Sequence, residues 1–152
     1  MYNLAQVNIA VLRAPLTDPR LHGFVSRLAE INRLAETSPG FVWRLVESDN
    51  DEAKRIFPDS RVVVNMTVWK DVDSLKTFTY RSAHRELLGG RHDWFERVDT
   101  PYFAMWWIPS GLTPSLQDAR NRLDYLGQHG DTAYAFTFRK VFPAPEVTAQ
   151  NA

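Results

Sequence analysis

Residues 61–70, RVVVNMTVWK, decide the fold. Val62, Val64, Met66 and Val68 alternate with Val63, Asn65, Thr67 and Trp69, the period-2 signature of a β-strand. One face is wholly apolar and the other mixes apolar with polar. Residues 4–12 repeat the pattern: Ala5, Val7, Ile9 and Val11 face one way, Gln6, Asn8 and Ala10 the other. Two such strands far apart in the chain need a sheet between them, and the connecting segments supply its other parts.

After the first strand, Asp18-Pro19 is an N-cap followed by proline at the first helical position. Leu21, Phe24, Val25, Leu28, Ile31 and Ala35 then recur at helical spacing, predicting a helix over 19–36 that Ser38-Pro39-Gly40 stops. Residues 41–47 read as a strand. Residues 48–60 are polar and read as a solvated hairpin loop; Asp49, Asp51 and Glu52 leave a carboxylate cluster for metal as the alternative, without the glycine of an EF-hand loop. Asp71 or Asp73 caps a second helix with Leu75, Phe78 and Ala83 towards the core. Gly89-Gly90 interrupts it, and 91–98 reads as a further helical turn or two. Residues 102–108 are a strand with aromatic residues on both faces. Thr113-Pro114 opens a third helix with Leu116, Ala119, Leu123 and Leu126 along its seam and Gly127 as C-cap. Residues 133–142 read as a last strand, with Tyr134, Phe136 and Phe138 alternating, and 143–152 as a frayed tail.

The order βαββαβ, then α and β, predicts an α+β protein: a ferredoxin-like split βαβ, with an antiparallel sheet and helices on one face, forming one domain over 1–142. Such a sheet has a second face to cover. The C-terminal extension covers part of it or a second subunit does, and the second subunit is the cheaper explanation.

The 152 residues suit one domain with a sizeable core. Lys+Arg 18 against Asp+Glu 18, spread evenly along the chain, argues against nucleic acid as a partner. No basic or acidic run marks a membrane surface, and residues 102–108, the longest apolar run, are too short to cross a bilayer. The absence of cysteine excludes disulfides, Fe–S clusters and a thiolate nucleophile. No signal-peptide pattern opens the chain, so a cytoplasmic protein is expected.

Dinucleotide, phosphate-loop, zincin and hydrolase-elbow motifs are absent. His22, His84, His92 and His129 show no metal-ligand spacing, so no metal is expected. Tyr80 and His84, four apart, share one helical face; they are either an acid/base pair or packing residues with hydrogen-bonded tips. Arg81, Arg85 and Arg91 either bind an anionic oxygen or pair with Glu86, Asp93 and Glu96. Trp94 and Trp106 are core or ligand wall. Because Trp106 and Trp107 are adjacent on a strand, they point to opposite faces. Asn8 and Asn65 sit inside strands, where asparagine is disfavoured; they line a polar cavity or lie on a solvated face.

At Val68-Trp69-Lys70-Asp71, Phe78 and His84 the chain resembles antibiotic-biosynthesis monooxygenase-type members of the dimeric α+β-barrel superfamily. More fully it resembles an uncharacterised bacterial domain family related to them. That likeness is carried by residues 4–10, 40–45, 65–69 and 78–84, Arg91, Trp94-Phe95, Trp106-Trp107 and residues 135–139. The resemblance implies a homodimer built sheet to sheet and a pocket between sheet and helices for a small aromatic molecule. Superfamily members include cofactor-independent oxygenases of polyketide aromatics, polyketide cyclases and haem-binding or haem-degrading proteins. Asn8 matches the first-strand asparagine of the haem-degrading branch. Phe78 stands near that branch's helical tryptophan, and His84 falls short of its axial histidine. Leu112 stands where the closer family, in W-W-x-P-x-G-H, often has histidine.

The resulting expectation is a small-molecule enzyme without cofactor that oxygenates a phenolic or enolic carbon. His84, Tyr80 and Asn8 are its catalytic candidates, and Asn65, Trp69, Arg81, Arg91, Trp94 and Trp106 its substrate-binding ones. A cyclase or isomerase using the same pocket and a non-catalytic haem or flat-ligand dimer are the alternatives.

Overall fold

The protein was described from a computed structural model. It describes residues 1–15, 17–46, 51–59, 61–84, 95–96 and 100–146, the side chains of Asp51 and residues 82–84 excepted. The strands are β1 (Tyr2–Val11), β2 (Phe41–Arg44), β3 (Val62–Trp69) and β4 (Phe103–Pro109). The helices are α1 (His22–Glu36), entered through a 3₁₀ turn at Pro19–Leu21, α2 (Asp51–Ile56), α3 (Val72–His84) and α4 (Leu116–His129).

The strands form one antiparallel sheet in the order β2-β3-β1-β4, open rather than closed into a barrel. The two stretches that predict strands are its central pair. They lie in a register that sets Leu4 against Trp69, Gln6 against Thr67 and Asn8 against Asn65. A register shifted by one would turn every side chain to the other face.

Helices cover both faces, not one as the sequence suggests. On the apolar face, Ala5, Val7, Val64, Met66, Val68, Ala104, Trp106 and Ile108 form one core with Ala53, Ile56 and Phe57 of α2 and its exit. Leu116, Ala119, Leu123 and Leu126 of α4 complete it. On the mixed face, Leu4, Trp69 and Met105 pack with Ala35 of α1, Leu75 of α3 and Phe136. Leu12, Leu21 and Phe24 close the far end with Val63, Leu28 and Phe95. The chain's own C-terminal helix thus buries the surface that an uncovered face would offer a second subunit. Each leucine of α4 removed from water contributes roughly 1.5–3 kcal/mol before entropy.

Local chemistry explains the remaining departures. Residues 48–60 contain α2 because Ala53, Ile56 and Phe57 stand at one-turn spacing, an apolar seam beneath the acids. Among the described residues no cluster of acids or histidines suits a metal. Ser115, not Thr113-Pro114, caps α4: its hydroxyl accepts from the Asp118 backbone N–H at 3.0 Å and Asp118 accepts from the Ser115 N–H at 3.0 Å. The helix runs through Gly127 to Gly130, whose φ of 74° suits glycine at the end. Phe95 pairs with Leu12 as an isolated bridge instead of lying in a helical turn, and the rest of 91–98 except Glu96 lies outside the described residues. The last expected strand is reduced to one bridge, Phe136 with Met105, closed by hydrogen bonds of 2.7 and 3.0 Å. Asp131 accepts from the Thr137 N–H and hydroxyl, which turns the backbone away from β4 after that contact.

Among the described residues no helix is long and apolar enough to cross a membrane.

Candidate functional site

The mixed face changes character along its length. At the Leu4 end it is sealed: Trp69 is stacked on Phe78 with ring centroids 5.0 Å apart and meets Phe41 edge-on at 5.6 Å. Between that end and the one closed by Leu12, Phe24 and Val63, Asn8 on a central strand is exposed, and Asn65 directly across from it is half-buried. A polar chain joins the sealed end to this strip. Trp69 Nε1 donates to Thr67 Oγ1 at 2.7 Å, Gln6 Nε2 donates to the same oxygen at 2.7 Å, and Gln6 Nε2 also donates to Asn65 Oδ1 at 3.0 Å.

Gln6 and Thr67 are 5% and 2% exposed, so their mutual bond offsets a desolvation cost that neither meets alone. Among the described residues Asn65 Nδ2 and the Asn8 side chain have no hydrogen-bond partner. The result is a polar floor with spare amide groups, bordered by the stacked rings of Phe103 and Phe138 at 5.4 Å; Phe103 lies opposite Asn8 in β4. It can hold a polar atom of a flat molecule by hydrogen bonds while aromatic side chains exclude water.

Of the expected site residues, the structure brings Asn8, Asn65 and Trp69 to one face. Trp69 is fully covered and reaches the floor through its N–H and Thr67. Trp106 lies on the opposite face, 1% exposed in the apolar core, with the Arg122 guanidinium 5.6 Å from its ring. One ligand cannot touch both Trp106 and Asn65. Burial lowers the pKa of Arg122, which also stacks 3.8 Å from the Tyr134 ring.

On α3, Tyr80 is 67% exposed. Arg81 lines a separate surface groove of about 210 Å³ with Ser38, Asp71, Asp73 and Thr77. The Asp71 carboxylate there accepts from the Ser74 hydroxyl at 2.7 Å and N–H at 2.8 Å, which lowers its pKa and caps α3. Gly40, at φ 85°, lets the α1–β2 turn approach Ser74 where any Cβ would collide. His84 ends α3, one turn past Tyr80, and its side chain lies outside the described residues, as do Arg91 and Trp94. Leu112 is exposed beyond Pro109, the end of β4 that pairs with Tyr2, and so stands at the opposite end of the sheet from Asn8.

Gln6 and Thr67 are the residues sequence reasoning missed. Their signal was there: they fall on the same strand faces as Asn8 and Asn65, and the antiparallel register that pairs the asparagines pairs them too.

A family profile described as "Domain of unknown function (DUF3291)" matches residues 3–152. No curated protein and no solved structure matches the chain.

Proposed function

This chain belongs to the DUF3291 family; from the geometry of its mixed sheet face we propose that it binds and transforms a small aromatic or enolic molecule on the polar floor there. One observation carries the reading: a central-strand asparagine left exposed opposite a second asparagine, beside a buried relay that holds the latter in place. A sheet needing only stability would place apolar residues there.

The chemistry fits proton abstraction from a phenol or an activated methylene. Amide N–H groups beside the ring oxygen stabilise the phenolate or enolate as it forms. His84, at the end of α3, is the proposed base and Tyr80 its neighbour. Dioxygen then attacks the carbanion; a ring CH₂ and O₂ give C=O and H₂O, with no resident cofactor. Ring closure from the same enolate is the alternative outcome.

The likeness to antibiotic-biosynthesis monooxygenases and the ferredoxin-like assignment belong to this proposal. The order β2-β3-β1-β4 supports the latter, with β3 between the parallel pair β1 and β2. The homodimer is part of it too, with an interface away from the face that α2 and α4 bury.

Oxygen uptake with 1,8-dihydroxyanthrone tests the reading. The wild type is expected to consume oxygen above the buffer rate and to melt higher with the compound, by the equivalent of roughly 2–4 kcal/mol at 100–1,000 times Kd. Asn8→Leu/Asn65→Leu should lose both. Equal behaviour of wild type and double variant would remove the floor from the mechanism.

A further inference from the structure

The relay beside Asn65 has a sense. Trp69 Nε1 is a donor and nothing else, so Thr67 Oγ1 must accept from it. Gln6 Nε2 gives one hydrogen to Thr67 Oγ1 and the other to Asn65 Oδ1. Both hydrogens of the Gln6 amide are then used, and the Asn65 carbonyl is turned inward. What Asn65 keeps for the open side of the floor is its NH₂ group.

We infer that Gln6 is a positioning residue that fixes the Asn65 amide with its donors outward. The floor thereby selects ligands whose ring carries a hydrogen-bond acceptor, a carbonyl or enolate oxygen, over rings that only donate. This rests on the proposal that the floor binds a ring and adds which ring it takes. The physical reason is asymmetry of cost: a donor facing a donor leaves both unpaired as water is expelled, and a matched pair loses nothing. Gln6 acts from beside Asn65 on the same sheet face, 5% exposed, through its bond to that amide.

The test uses two bicyclic probes of similar size. 1-Indanone carries a carbonyl and no donor; indole carries an N–H and no conventional acceptor. Their dissociation constants are measured by NMR titration of the full chain, and the readout is their ratio. The wild type should favour 1-indanone by about tenfold. Asn65→Asp, which puts an acceptor where the amide donor stood, should reverse the preference. Gln6→Met, similar in shape and without hydrogen bonds, frees the Asn65 amide to turn either way and should bring the ratio towards one. Thr67→Ser keeps the relay and should keep the ratio.

A mere packing role for Gln6 predicts that Gln6→Met weakens both probes alike, and that result overturns the assignment. A wild-type preference for indole means the amides sit in the opposite sense and also overturns it. Binding of both probes with a ratio near one overturns the inference while leaving the floor as a ring site; binding of neither overturns both. The wild-type ratio and Asn65→Asp decide the sense of the Asn65 amide even where Gln6→Met fails to fold, and Gln6→Glu, whose carboxylate accepts from the Asn65 NH₂ and turns the carbonyl outward, should then reverse the ratio; a ratio unchanged in Gln6→Glu overturns the role of Gln6.

Discussion

The two faces of the sheet are built on the same strands and have opposite compositions. The face under α2 and α4 is apolar from Ile108 through Ala5 to Val64, and Trp106 on it is almost wholly buried. The face under α1 and α3 begins as well sealed, at Leu4 and Trp69, and then gives way to Gln6, Thr67, Asn65 and an exposed Asn8. Since one face suffices to hold α2 and α4, stability alone does not ask for the polar row on the other. On the proposed function, the first face serves folding, and the polar strip of the second, between the Trp69 end and the end closed by Leu12 and Val63, serves recognition.

The sharpest way to break that division is Trp106→Ala. It should cost about 3–5 kcal/mol, read as a lower urea midpoint, because the side chain leaves a cavity that α4 cannot collapse into. A loss as small as that of a surface substitution would mean the apolar face does not carry the fold. Thr67→Val comes next. It strands the Trp69 N–H and one Gln6 hydrogen in a buried setting and should cost roughly 1–3 kcal/mol in the same measurement.

Asn8→Val should behave in the opposite way. Valine suits a central strand better than asparagine, so stability should hold or rise by up to about 1 kcal/mol while ring binding weakens. A marked loss of stability would show that Asn8 serves the fold.

The smallest effect belongs to the α3 cap. Hydrogen bonds from the Ser74 hydroxyl and N–H depress the Asp71 pKa. Its contribution is therefore present above the ordinary carboxylate value and is lost as pH falls through the depressed one. The gap between wild type and Asp71→Ala, about 1 kcal/mol near neutrality, should shrink on acidification into that range. A gap that stays constant or widens in acid would contradict the cap.

Much of this was legible in the sequence. The alternation at 4–12 and 61–70 marked both strands and their unlike faces, because period-2 patterning is local; that the two pair at the centre of the sheet came from the structure. Asn8 and Asn65 stood out by propensity. What was not legible depended on distant partners. Gln6 and Thr67 look ordinary until the register sets them opposite each other. The second helical layer hid in an acidic stretch where only Ala53, Ile56 and Phe57 hint at burial, and in a C-terminal helix whose docking face spacing alone does not choose. Trp69 and Trp106 read alike as strand tryptophans, and only odd and even numbering along paired strands separates them onto opposite faces.

The most direct test is an NMR titration of ¹⁵N-labelled protein with 1,8-dihydroxyanthrone, following the side-chain NH₂ signals of Asn8 and Asn65 and the indole N–H signals of Trp69 and Trp106. The account predicts that the asparagine signals move first, that Trp69 follows through Thr67, and that Trp106 stays where it is. Movement of Trp106 with silent asparagines, or no movement at a saturating concentration, would contradict it.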